Sequence, residues 1–284
     1  MRWEDDRKSD NVEDRRGIGV SRGVIGGGIG TIIIVLVALF FGVDPSTLLN
    51  LGTTTNTSAP SSVTRQKPAD EDRLADFVSV VLADTEDTWH DIFRRSGKEY
   101  REPKLVLFSH EVKSACGFAQ SAVGPFYCPR EQKVYIDLQF FRDLKDRFHA
   151  PGEFAQAYVI AHEIGHHVQN LMGISDKVQR LRESAGKVQA NNLSVRLELQ
   201  ADCLAGIWGY HANRTKKILE AGDVEAALRA AKSIGDDRLQ KQGQGYVVPD
   251  SFTHGSSEQR VRWFRRGIET GDLAQCNTFK AASL

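Results

Sequence analysis

Ala161-His162-Glu163-Ile164-Gly165-His166-His167 carries the pattern H-E-x-x-H. It lies inside a longer stretch, 154–171, whose apolar residues recur at helical spacing and which stops near Gly173. Residues four apart on a helix share a face, one turn from each other, so the imidazoles of His162 and His166 can bind one zinc ion. Glu163, one position along, is placed to take a proton from an attacking water and pass it to a leaving amine. Gly165 removes a side chain beside the site and permits close packing by a neighbouring helix. The same pattern also occurs on helices whose histidines are merely solvated, so the surroundings have to decide.

Phe154, Ala157, Tyr158, Ile160 and Ala161 precede the motif on a buried-looking helix, where charged and imidazole groups need partners. Catalytic zinc usually takes three protein ligands. A second helical stretch, 193–213, holds Glu198-Leu199-Gln200-Ala201-Asp202, again with two acidic residues one turn apart. Glu198 can complete a His2Glu set, and Asp202 can accept the free ring N–H of one histidine and hold its tautomer. Two solvated carboxylates are the alternative, but Leu197, Leu199, Leu204, Ala205, Ile207 and Trp208 bury at least one face.

Further on, Thr253-His254-Gly255-Ser256-Ser257-Glu258-Gln259-Arg260 puts a loop histidine before a helix that Ser256 or Ser257 can cap. His254 and Arg260 could reach the oxyanion formed when water attacks a carbonyl. A capping segment with an exposed histidine would look the same. His167 faces about 100° away from His166 and reads as structural.

Around these motifs the chain reads as helix-rich α+β with a small sheet on its N-terminal side. Helices are expected over 70–95, 140–148, 223–233 and 256–269, and strands over 104–109 and 133–137. The glycine-, serine- and proline-rich stretch 116–128 reads as a loop. The strand 133–137 could take up an extended peptide at its edge.

The 284 residues carry 37 basic and 37 acidic side chains, and this balance argues against a nucleic-acid partner. Residues 1–23 are charged and poor in apolar side chains, so they read as a disordered cytoplasmic tail. Residues 24–43 carry no charge and are long enough to cross a bilayer as one helix. The end of this run, Phe40-Phe41-Gly42-Val43-Asp44, is a poor signal-peptidase site, so a retained single anchor is expected. Residues 44–67 read as a flexible linker and 68–284 as the globular domain. Arg15, Arg16 and Arg22 precede the span and the next cation is Arg65, which orients the N-terminus inward and the domain outward, periplasmic or extracellular. Cys116, Cys128, Cys203 and Cys276 form no CxxC pair. In an exported domain they can pair, Cys116 with Cys128 and Cys203 with Cys276 being one of three possible connectivities; four free thiols are the alternative.

The stretches 114–117, 123–128, 155–170, 196–203 and 250–255 together resemble the bacterial neutral zinc metallopeptidase family, over the chain from about residue 68 to its end. The resemblance implies a zincin-like metallopeptidase domain, one Zn2+ per chain and a peptide or protein substrate. The pairing of H-E-x-x-H with E-x-x-x-D is also similar to the glutamate zincins, which implies Glu198 as third ligand and Asp202 as the residue orienting a histidine. Membrane gluzincins carry a downstream His with an Arg six residues on, the spacing of His254 and Arg260, but Gly255 stands where they have proline. The reading is therefore a membrane-anchored zinc peptidase with Glu163 as base. The alternative is a zinc-binding envelope adaptor without catalysis.

Overall fold

Leu105-Val106-Leu107-Phe108 shows no polar alternation because both faces of its strand are covered. In the computed structural model, which describes residues 1–17, 69–120 and 124–284, Lys104–Phe108 (β2) lies inside a four-stranded sheet. Val12–Asp14 (β1) pairs with β2 in parallel on one side. Lys133–Asp137 (β6) pairs with it in parallel on the other, and Phe126–Cys128 (β5) runs antiparallel to β6. Leu105 and Leu107 join the main core, while Val106 and Phe108 join a small second one closed by the hairpin of Glu111–Ser114 (β3) and Gly117–Gln120 (β4).

The helices follow as Ala69–Arg95 (α1), Gln139–Asp146 (α2), Glu153–Leu171 (α3), Ile174–Glu183 (α4), Lys187–Lys216 (α5), Asp223–Ser233 (α6), Asp236–Gln244 (α7) and Ser257–Thr270 (α8). The first of these buries Phe77, Val78, Val81, Leu82, Trp89 and Phe93, the residues whose spacing predicts it. Helices α3, α5 and α8 cross with almost no space between backbones. A Cβ on Gly165 of α3 would stand 3.0 Å from the Ala201 carbonyl oxygen of α5. On the other flank of α5, a Cβ on Gly206 would lie 2.3 Å from the Phe264 carbonyl oxygen, and one on Gly267 would lie 2.0 Å from that of Cys203. These glycines let α5 press against both neighbours, and so bring Glu198 and Asp202 to the histidines.

Several expectations need correction. The stretch expected as a loop, 116–128, contains β4 and β5. Strand β6 is not an edge, since β2 and β5 flank it; the edge on that side is β5. Helix α5 begins earlier than expected because its first turns, Lys187 to Asn192, are too polar to show a period. Helices α4 and α7 were not expected, since each buries few apolar residues, with Val178 and Leu239 as their anchors.

The largest correction concerns the N-terminus. Residues 1–17 are no disordered tail but part of the domain. Trp3 packs edge-on against Phe77 at 5.3 Å. The Ser9 hydroxyl donates to Glu86 at 2.5 Å, and Arg16, itself buried, donates to the Glu71 carbonyl at 2.8 Å and pairs with Asp72 at 3.1 Å. Apolar residues are few here, but Met1 and Trp3 are buried and several of the charges have specific partners, among them Arg7 with Glu86 and Lys8 with Asp76. The expected tail thus supplies β1, which pairs with β2 of the domain. Two of the three orienting cations are engaged: Arg15 pairs with Glu13, and Arg16 pairs with Asp14. The expected span 24–43 and linker 44–67 lie outside the described residues. Among the described residues no helix is long and apolar enough to cross a membrane.

Two disulfides close the domain, Cys116–Cys128 and Cys203–Cys276. The first fastens the β3–β4 hairpin to β5. The second fastens the C-terminal tail to α5.

Candidate metal centre

Helix α3 is buried nearly throughout, so the polar groups of its motif must find partners inside the protein. His162 and His166 present their Nε2 atoms 3.2 Å apart, and Glu198 of α5 brings Oε2 to 3.2 Å from His162 Nε2 and Oε1 to 3.5 Å from His166 Nε2. The three donor atoms lie within 4.8 Å of one another and could hold a metal ion. A tetrahedral ion with bonds of about 2.0–2.1 Å has ligand–ligand edges of about 3.3–3.4 Å, so the donor set fits zinc in kind and in spacing.

The far ring nitrogen of each histidine is held. His162 Nδ1 lies 2.8 Å from Asp202 Oδ1 and donates to it. Asp202 has no solvent exposure and also accepts from the Tyr158 hydroxyl at 2.5 Å and from Arg260 Nε and Nη2, both at 2.9 Å. His166 Nδ1 lies 2.9 Å from Gln169 Oε1.

The buried charges of the cluster act on one another. Burial pushes His162 down, but the charge and hydrogen bond of Asp202, helped by Glu198, outweigh it and raise the imidazole to about 10. Burial pushes Asp202 up, yet Arg260 and His162 hold it at about 2. Burial likewise raises Glu198, and its contacts with His166 and His162 reverse this and leave it well below the usual carboxylate range. Glu163 differs: burial wins over the nearby imidazoles and its carboxyl is raised. A raised carboxyl beside a site of ionised ones is suited to take and return a proton.

Glu163 and the ligand set open into a cleft of about 720 Å³. One wall is Phe126 and Tyr127 of β5, and His254 enters from the loop before α8. Asp236 builds that loop by accepting the backbone N–H groups of Thr253, His254 and Gly255 at 2.8, 2.7 and 2.9 Å. Gly255 has φ +94 and donates its N–H, two things proline cannot do, which explains the departure from the membrane-gluzincin pattern. Ser256 caps α8 in a capping box with Gln259. Burial lowers the His254 imidazole, but the hydrogen bond to Asp236 and the nearby charge of Glu198 raise it overall.

Arg260 lines the same cleft from α8. It is 3 % exposed and is committed to Asp202 and to the Tyr158 hydroxyl, so it supports Asp202. His167 is fully buried and holds the cleft wall: Nε2 donates to the Arg101 carbonyl at 2.6 Å and Nδ1 accepts from the Tyr127 hydroxyl at 2.9 Å. Burial, opposed by that carbonyl bond, lowers its pKa to about 4. Sequence reasoning missed Tyr158, Gln169 and Asp236. Gln169 was within reach, since it follows His166 by three and shares its face; Asp236 was not, since it meets His254 only through the tertiary fold.

These features define a class, an α+β protein with a two-histidine, one-carboxylate metal-type site and an acidic residue beside it in a cleft. The chain belongs to the family described as "Putative neutral zinc metallopeptidase", whose model matches residues 1–279. It is similar to YpfJ of Escherichia coli K12, 53% identical over 98% of this chain and 99% of that protein. It is also similar to Mb2605 of Mycobacterium bovis and Rv2575 of Mycobacterium tuberculosis, each 40% identical over 87% of this chain and 86% of the relative. These relatives' names record no activity. No solved structure gives a significant match.

Proposed function

We propose that this protein is a zinc-dependent peptidase that hydrolyses peptide bonds with Glu163 as general base. The observation that carries the reading is the convergence of His162, His166 and Glu198 within 4.8 Å in the cleft that Glu163 also lines. Zinc held by these three residues would supply a Lewis acid and an acidified water. Glu163 takes a proton from the attacking water as its oxygen bonds to the peptide carbonyl carbon. It returns that proton to the amide nitrogen as the C–N bond breaks. His254, facing the cleft, is the group we assign to the carbonyl oxygen as it becomes negative. The substrate is a peptide or protein segment, and β5 is the sheet edge at the cleft along which an extended chain could lie.

The test is Glu163→Gln on the full chain. It should retain one zinc per chain by metal analysis and lose cleavage of a peptide library by about a hundredfold or more. Equal cleavage by parent and variant would defeat the mechanism. Zinc without any cleavage by the parent would favour a binding protein.

We further propose that the domain works in an oxidising compartment, outside the cytoplasm. The two disulfides support this. Because β1 pairs with β2, residues 1–17 belong in that same compartment. The apolar run 24–43 remains the candidate for membrane contact, reached from that side.

A further inference from the structure

His162 is oriented by a carboxylate, as the spacing of Glu198 and Asp202 foretells. His166 is oriented by something else. We propose that Gln169 is the positioning residue for His166, and that Gln200 and the disulfide-anchored C-terminal tail hold Gln169 in place. The proposal rests on the metal-centre reading and deepens it.

The argument is one of donors and acceptors. With Nε2 of His166 turned to the ligand cluster, its Nδ1 must carry the proton, and the acceptor there is Gln169 Oε1 at 2.9 Å. A glutamine amide can flip, which would present N–H groups to N–H. Here it cannot. Gln169 Nε2 faces two acceptors, the Leu197 carbonyl at 2.7 Å and Gln200 Oε1 at 3.1 Å. Gln200 is fixed in turn, because its own Nε2 donates to the Cys276 carbonyl at 3.0 Å. Every donor points the same way, from His166 through Gln169 and Gln200 to Cys276; reversing the Gln169 amide breaks three bonds and reversing that of Gln200 breaks two.

The chain is sealed as well as directed. Gln169 has no solvent exposure, and Gln200 is buried. Water therefore has little access to replace a lost bond. The end of the chain is anchored twice: Cys276 is bonded to Cys203 of α5, and Thr278 donates its hydroxyl to the Arg196 carbonyl at 2.6 Å. The C-terminal tail, far from the metal ligands in sequence, thus reaches one of them.

The neutral amide has a consequence of its own. Asp202 is balanced by Arg260, so the site carries one uncompensated ligand charge, that of Glu198. A carboxylate at 169 would add another.

The experiment uses zinc alone and the full chain. Apparent zinc affinity is measured by chelator competition on the parent, Gln169→Leu, Gln169→Glu and Gln200→Leu, with the visible absorption of the cobalt-substituted proteins as a report on ligand geometry. Gln169→Leu should bind zinc about 10–100-fold more weakly and shift the cobalt spectrum. Gln169→Glu keeps an acceptor for His166 but turns its second oxygen onto the Leu197 carbonyl and Gln200 Oε1, so it should recover only a small part of the loss. Gln200→Leu should weaken binding several-fold, because it frees the Gln169 amide to rotate. Equal affinity and spectra for parent and Gln169→Leu would overturn the proposal, even if the variant unfolds more easily. Unchanged affinity in Gln200→Leu would overturn the link to the tail. A parent that takes up no zinc would overturn the metal-centre reading, and this with it.

Discussion

Arg260 of α8 grips Asp202 of α5 with two parallel bonds of 2.9 Å, Nε to one carboxylate oxygen and Nη2 to the other, and neither side chain is more than 3 % exposed. A buried pair of this kind is costly to break from one side, because the survivor is left charged and unpaired. Arg260→Leu should therefore destabilise the fold by about 3–5 kcal/mol. It should also weaken zinc binding, since Asp202 would no longer be steadied against His162. Urea unfolding of the zinc-free protein and chelator competition measure the two effects separately. A variant as stable as the parent would show that the pair contributes nothing net.

The pH dependence of stability should carry the signature of His167. Its folded pKa of about 4 lies below the ordinary 6.5. The unfolded chain therefore binds the proton first, and acid favours unfolding. This contribution is whole above about pH 6.5 and is lost progressively towards pH 4, a swing of roughly 3 kcal/mol. His167→Gln should show a flatter decline over that window than the parent, with both proteins unfolded in urea and chelator. Parallel declines would mean that other groups govern the acid limb.

Close approach of α5 and α8 depends on Gly267. A methyl there would meet the Cys203 carbonyl at 2.0 Å, and backbone cannot step aside as a side chain can. Gly267→Ala should cost about 3 kcal/mol or more and should lower zinc affinity, because Arg260 rides on the displaced helix. An unaltered unfolding midpoint would show that the helices can part at no cost.

The pairing of β1 with β2 predicts that the N-terminus and the domain face one compartment. Asp10→Cys and Lys241→Cys each place a thiol at an exposed position, one on either side of the apolar run. A membrane-impermeant maleimide applied to intact cells or spheroplasts should label both or neither. Labelling of the Lys241 variant alone would restore the single-pass arrangement.

Much of the site was legible before any coordinates, for a physical reason. His162 and His166 lie four apart, as do Glu198 and Asp202, so helical periodicity alone puts each pair on one face, with Glu163 beside the first. The helices α1, α3 and α6 were legible because their apolar residues recur at helical spacing. Polar helices such as α4 and α7 offer no such repeat. Loop composition hid β4 and β5, whose pairing depends on partners rather than on local preference.

Sequence by itself thus determined the candidate ligand group, the acidic residue beside it and a helix-rich α+β domain, since each follows from local spacing. Only the tertiary structure decided that Arg260 supports Asp202, that Gln169 holds His166, and that Asp236 shapes the loop of His254. It also decided that the first seventeen residues belong to the domain. A charged segment poor in apolar residues looks disordered when its partners are unknown. Ser9 with Glu86, and Arg16 with Asp72, meet only because the chain returns to them, and no local pattern records a partner more than fifty residues away.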